Sequence, residues 1–324
     1  MTGEQVAPPE ILDLSLLFIT GKGGVGKTTL AASLGLLAAE RGRRVLVCAM
    51  ERAEDLSLAL ETPELTYRPR EILPGLYAMA MDTEDALREY LVVQAHLPPI
   101  GRIGAVADAF DFLASAAPGV REILTIGKLC YEVREHHYDL VIADAASSGH
   151  FIGHLAAPVG MHELAGIGAI GDQTRWILDI LEDPSRTGVV VATTPEETPV
   201  TEALELCERL GVVTGVPLAA VVANRVLPEM FGRRDAALFE RLGEGDLVDA
   251  LARAAGTSGE ELGRLFEAAR LSAHLRSREV DHLDRLRSGM EPSIPLVLLP
   301  MLFATADGLA GVRALAGALE DELA

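Results

Sequence analysis

The chain has 324 residues, 49% apolar and 23% charged, a balance that supports one or two folded domains and excludes general disorder, collagen-like and coiled-coil architectures. Lys and Arg number 28 against 48 Asp and Glu, so a net charge of −20 repels phosphate backbones and anionic lipid, and aromatics at 4% leave little to stack on nucleic-acid bases. The three cysteines, Cys48, Cys130 and Cys207, lack CxxC spacing and give no basis for a disulfide framework or a cysteine-rich zinc site.

The first thirteen residues carry acids and Pro8-Pro9 where a signal peptide would carry basic residues, and the apolar run Leu14 to Thr20 is too short to span a bilayer. A soluble cytoplasmic protein without direct membrane insertion is expected. Short runs rich in Val, Ile and Leu then recur: Leu14 to Thr20, Arg44 to Cys48, Leu76 to Met81, Leu140 to Asp144, Gly188 to Thr193, Leu218 to Ala223 and Ile294 to Leu299. Such runs read as strands buried on both faces of a parallel sheet. Helical patterns such as Leu30 to Arg41, Val200 to Leu210 and Leu309 to Leu323 fit right-handed βαβ crossovers. The fold class is therefore α/β, with a mostly parallel sheet of about seven strands flanked by helices, in a single domain over 1–324. Two intervals, about 83–138 and 227–292, hold helical segments without a convincing strand and read as helical insertions. The first contains Glu84 to Val93, Ile103 to Ala114, a break at Ala117-Pro118-Gly119, and Val120 to about Glu135. The stripe Ile103, Val106, Phe110 and Leu113 reads as a packing face.

Between the first strand and the first helix stands Gly21-Lys22-Gly23-Gly24-Val25-Gly26-Lys27-Thr28, which fits G-x-x-x-x-G-K-[ST] in the strand-to-helix setting that motif requires. Glycine tolerates positive φ, so backbone N–H groups can face phosphate oxygens, and the helix adds the positive end of its dipole. The P-loop motif assigns Gly21, Gly23, Gly24, Val25, Gly26, Lys27, Thr28 and Thr29 to a bound nucleotide, with Lys27 on the β- and γ-phosphates and the Thr28 hydroxyl on Mg²⁺. A second element, Asp139-Leu-Val-Ile-Ala-Asp144, ends a buried strand on an acid. There Asp144 would hold Mg²⁺ through a water, with Gly149 of the next loop near the γ-phosphate.

GKGGVGKTT also resembles the deviant phosphate loop of the family that holds the arsenite-pump ATPases, the ATPases that target tail-anchored membrane proteins, and the partitioning ATPases. The likeness continues in the loop Asp144-Ala-Ala-Ser-Ser-Gly149-His150, similar to a D-T-A-P-T-G-H switch without its threonine and proline, in Val191 to Pro199, and in Val221-Val-Ala-Asn224-Arg225. Ala117 to Lys128 is similar to actinobacterial-type ArsA-like paralogs. The resemblance implies an ATP- and ADP-binding, Mg²⁺-dependent ATPase that works as a homodimer or as a heterodimer with a paralogous ATPase. It implies that Lys22 crosses the dimer interface to the partner's nucleotide, that Asn224 meets the adenine edge, and that Pro300 and Met301 pack beside the base. It further implies an acid after the second strand that orients the attacking water. The chain reads Cys48-Ala-Met-Glu51-Arg52, which puts Glu51 there, either as a slow water-positioning group or as part of a solvated acidic turn.

Three functional readings stay open. In the leading one, nucleotide state opens and closes the helical insertions on a client or membrane-partner protein. A second is a catalytically weak regulatory subunit of a heterodimer. A third, a partitioning or septum-site type, would want a basic amphipathic C-terminus, whereas the chain ends in Glu320-Asp-Glu322. The scattered cysteines match neither an arsenite site, a zinc clasp nor an iron–sulfur site. His150 and His154 read as ordinary polar histidines, and Glu135-His136-His137-Tyr138 as a solvated helix end.

Overall fold

A computed structural model describes residues 10–93, 119–165, 169–229, 239, 242, 246–303 and 307–323. Eight strands form one sheet: β1 (Leu16–Gly21), β2 (Val45–Ala49), β3 (Arg70–Leu73), β4 (Leu76–Ala80), β5 (Leu140–Ser147), β6 (Thr187–Thr193), β7 (Leu218–Val226) and β8 (Leu296–Pro300). Their order is β3-β4-β2-β5-β1-β6-β7-β8, parallel throughout except for the antiparallel β3–β4 pair. Ten α-helices accompany them among the described residues: α1 (Lys27–Glu40), α2 (Ala53–Ala59), α3 (Thr83–Val93), α4 (Val120–Arg134), α5 (Ser148–Ala165), α6 (Ala169–Leu181), α7 (Glu197–Val213), α8 (Asp246–Ala255), α9 (Gly259–Gly289) and α10 (Gly308–Leu323).

Alternate residues of each central strand point to opposite faces, and both faces are covered. Leu17 and Ile19 pack with α1, α2 and α10, while Leu16 and Phe18 pack with α4 to α7 and the last turns of α9. Helix α1 is apolar nearly all round, as its position under α10 and against the sheet requires. The α/β class and the parallel sheet expected from the sequence are thus observed.

The strand β3 is not among the apolar runs of the sequence. It is a four-residue edge strand, Arg70-Glu71-Ile72-Leu73, two of whose side chains are exposed, so no apolar run announces it. Charged, short edges of this kind discourage pairing with other chains. A further departure lies at the end of a strand. The 144–150 segment, expected as a loop, is instead the end of β5 passing into α5 at Ser148. Within the interval 83–138, α4 lies on the sheet, with Ile126, Leu129, Cys130 and Val133 in the core. The stripe at Ile103, Val106, Phe110 and Leu113 lies outside the described residues. In the interval 227–292, α8 and α9 are observed, and α9 opens on a Ser258 N-cap whose Oγ accepts from the Glu261 amide at 3.1 Å. Among the described residues, no helix is long and apolar enough to cross a membrane.

Candidate active site

The glycine loop leaves the sheet at its centre, where β1 lies between β5 and β6. Gly21 has φ +142°, and a Cβ there would stand 2.1 Å from the Ala192 carbonyl oxygen, so only glycine lets β1 approach β6 and turn. Gly26 precedes α1 in the left-handed region, and no side chain caps the helix, so its first N–H groups stay free for an anion.

Lys27 folds back over this loop, its Nζ donating to the Lys22 carbonyl at 3.2 Å. Burial lowers its pKa, an effect opposed by the carboxylates of Asp144 and Glu51. The Thr28 hydroxyl donates to Asp144 Oδ2 at 2.7 Å. Burial pushes the Asp144 carboxyl up to about 6 against the Thr28 hydrogen bond and the Lys27 charge, and its Oδ1 is buried without a protein partner. An orphaned carboxylate oxygen beside a hydroxyl is a hard-oxygen donor set, which fits hydrated Mg²⁺ better than a soft metal. Among the described residues there is no cluster of three His, Cys, Asp or Glu side chains able to hold a metal by themselves.

These groups line a cleft of about 530 Å³ that brings together Gly23, Gly24, Gly26, Lys27, Thr28, Thr29, Glu51 and Asp144. Glu51 follows β2, half exposed, with Oε1 3.9 Å from His150 Nδ1 on α5. Arg52 and Asp55, which share the cleft wall, pair at 3.3 Å. Lys22 is turned away toward an adjoining cleft of about 730 Å³, where its Nζ meets Glu202 Oε1 of α7 at 2.6 Å. Gly21 and Val25 are buried beneath the loop. Asn224, also buried, donates from Nδ2 to the Val25 carbonyl at 2.9 Å. Gly149 lies in the first turn of α5, and Pro300 and Met301 close β8; none of the three lines either cleft. Arg225, part of a motif quoted above yet absent from the expected site residues, lines both clefts. The signal for it is tertiary, since nothing in V-V-A-N-R distinguishes a strand-end arginine from a solvated one.

Two histidine expectations also meet their surroundings here. His154 is largely buried, with Nδ1 unpartnered, while His150 is exposed. At the end of α4, Glu135, His136 and His137 are exposed, as expected, although His137 pairs with the buried Glu132 at 2.8 Å, and only Tyr138 is buried, against Tyr77.

A parallel sheet with a glycine loop, a lysine and a threonine at one helix N-terminus and a carboxylate at the neighbouring strand end define a P-loop nucleotide-binding protein. Residues 14–170 match the family described as Anion-transporting ATPase. ATPase BagA of Mycobacterium tuberculosis is 31% identical over 268 residues, which cover 79% of this chain and 77% of that protein. The arsenical pump-driving ATPase of Acidiphilium multivorum is 27% identical over 240 residues, covering 68% of this chain and 41% of its own length. ATPase get3 of Neurospora crassa is 31% identical over 148 residues, 45% of this chain and 43% of its own length. The chain belongs to the anion-transporting ATPase family.

Proposed function

We propose that this protein binds ATP with Mg²⁺ in the 530 Å³ cleft and hydrolyses it, acting in the cytoplasm as a dimer that couples nucleotide state to a client or membrane-partner protein. The observation that carries the reading is the Thr28–Asp144 hydrogen bond with Asp144 Oδ1 left free, directly beneath an uncapped helix N-terminus. Phosphates would take the loop N–H groups and Lys27, while Thr28 and Asp144 would hold Mg²⁺, which supplies charge neutralisation to the phosphoryl oxygens when bound. Glu51 stands at the mouth of the cleft, where a carboxylate accepts a proton or a hydrogen bond from water. Asn224, Pro300 and Met301 are the expected adenine contacts, Gly149 the expected γ-phosphate sensor, and Lys22 the lysine expected to reach a partner's nucleotide. Partner coupling is supported by the exposed Leu265 and Leu271 on α9, and the dimer by the resemblance of the loop.

The test is steady-state ATP hydrolysis and Mg-ATP titration of the purified chain, with Lys27→Ala as the blank. Turnover that disappears in the variant is expected. Absence of nucleotide binding in the native chain would overturn the reading. Binding without turnover would select the regulatory-subunit reading, which the half-exposed position of Glu51 beside His150 favours.

A further inference from the structure

Strand β7 carries one residue more than β8 near its end: Ala223 pairs with Leu298 and Val226 with Pro300, so Asn224 and Arg225 together oppose Leu299. A bulge gives up regular pairing and re-aims a side chain, and bulges gather beside active sites. Within this one, Arg225 has φ +60°, a left-handed conformation that arginine avoids because its Cβ crowds the following carbonyl.

The strained residue is held from both sides. Its amide donates to Asn224 Oδ1 at 2.9 Å, and Asn224 Nδ2 in turn donates to Val25 of the glycine loop at 2.9 Å. On the far side, the Met301 amide donates to the Val226 carbonyl at 2.8 Å, tying the bulge to β8. Backbone strain over-determined in this way is characteristic of functional sites. Its result is that the exposed Arg225 side chain lines both clefts beside Gly23 and Gly24. Two other cations of these walls are held by carboxylates, Lys22 by Glu202 and Arg52 by Asp55, and Lys27 donates to the Lys22 carbonyl. The Arg225 guanidinium has no ion-pair partner among the described residues.

We propose that Arg225 is a second cationic contact for the phosphates of the bound nucleotide, delivered over the glycine loop by the β7 bulge. The inference deepens the ATP-site reading and rests on it. A guanidinium presents a planar fork to phosphate oxygens and makes charge-assisted, frequently bidentate bonds, which a polyanion bound by Lys27 and helix N–H groups alone would leave unmade. The Asn224 bridge adds a positioning effect, because the same amide that fixes the Arg225 backbone also fixes the loop carbonyl beneath the phosphates.

The experiment compares the full chain with Arg225→Gly, Arg225→Asn and Arg225→Lys, titrating each with Mg-ATP and with magnesium tripolyphosphate, which has phosphates but neither base nor ribose. Both glycine and asparagine accept the left-handed backbone, so the fold is preserved. Arg225→Gly is expected to weaken both ligands by roughly ten- to a hundredfold, to raise the Tm of the ligand-free protein by relieving strain, and Arg225→Lys to recover part of the loss. Unchanged affinity for both ligands in the folded variants would overturn the proposal. So would a loss confined to ATP, which would move the arginine to the base or ribose. Native protein that binds neither ligand would overturn the ATP site itself, and with it the arginine assignment.

Discussion

At Gly21 the constraint is geometric. With the Ala192 carbonyl 2.1 Å from where a Cβ would stand, Gly21→Ala must push β1 away from β6 at the centre of the sheet. It is expected to cost roughly 2–4 kcal/mol and to abolish nucleotide binding, as read by thermal unfolding and by Mg-ATP titration. The cysteines give a second residue-scale test. Burial pushes the Cys48 thiol up to about 12 and raises Cys130 further, while the less enclosed Cys207 rises to about 11. A raised thiol pKa means less thiolate at any pH below it, and thiolate is the reactive form. Alkylation of the native protein at pH 8 should therefore modify Cys207 ahead of the other two, with all three reacting in denaturant; equal native rates would contradict the packing. Lys27, Thr28 and Asp144, which sequence alone grouped together, line one cleft, because a loop between β1 and α1 and an acid at the end of the adjacent β5 meet at the same edge of a parallel sheet. It passed over Arg225, whose conformation depends on the register of β7 against β8.

Helices α3 and α4 are joined by a buried polar knot. Lys128 of α4 lies 2.5 Å from Glu132 and 2.7 Å from Glu89 of α3, its ammonium 5.0 Å from the centroid of the Tyr67 ring, whose hydroxyl donates to Glu89. Burial by itself would lower the Lys128 pKa, but the two carboxylates outweigh it and the net shift is upward. A lysine raised in the folded state contributes stability that is complete below its ordinary value of 10.5 and is lost as pH climbs through the higher folded value. Lys128→Ala leaves Glu132 charged and enclosed, so it should destabilise by about 3–5 kcal/mol, measured by denaturant unfolding at neutral pH. Replacing Lys128 and Glu132 together by Met and Leu should recover part of that loss, since the enclosed Glu132 charge is removed and only the partly exposed Glu89 loses its cation. The ends of α3 and α4 were legible from apolar spacing and from Pro118-Gly119. The short edge strand β3 and the passage of β5 directly into α5 were not, for one has no apolar run and the other follows from a bulge after Asp144, where Ile19 pairs with Asp144 but Gly21 with Ser147.

On the scale of the whole molecule, the question is how one chain's cleft would meet another. The chain has three lysines, Lys22, Lys27 and Lys128, two of them in the glycine loop. Lys22 is held within its own subunit by Glu202 of α7, in a partly exposed pair. If Lys22 serves a partner's nucleotide, as proposed above, that pair must open first. Glu202→Gln should then raise the ATP-dependent dimer fraction up to about fivefold, the scale of an exposed ion pair, as measured by sedimentation with and without Mg-ATP. A dimer fraction indifferent to the substitution would argue that Lys22 stays in its own subunit.

What the sequence determined by itself was the alternation of buried strands and helices, hence a parallel sheet, and the glycine loop, hence a phosphate-sized anion site at its centre. Both are local: they follow from side-chain periodicity and from the few backbone conformations that glycine permits. Only the tertiary structure decided which residues share the cleft, that Asp144 keeps one oxygen free, that Lys22 is paired with Glu202 and that a bulge turns Arg225 toward the loop. Those outcomes depend on register and burial between segments as much as 200 residues apart, such as Val25 and Asn224, separated by 199, and no window of sequence contains them.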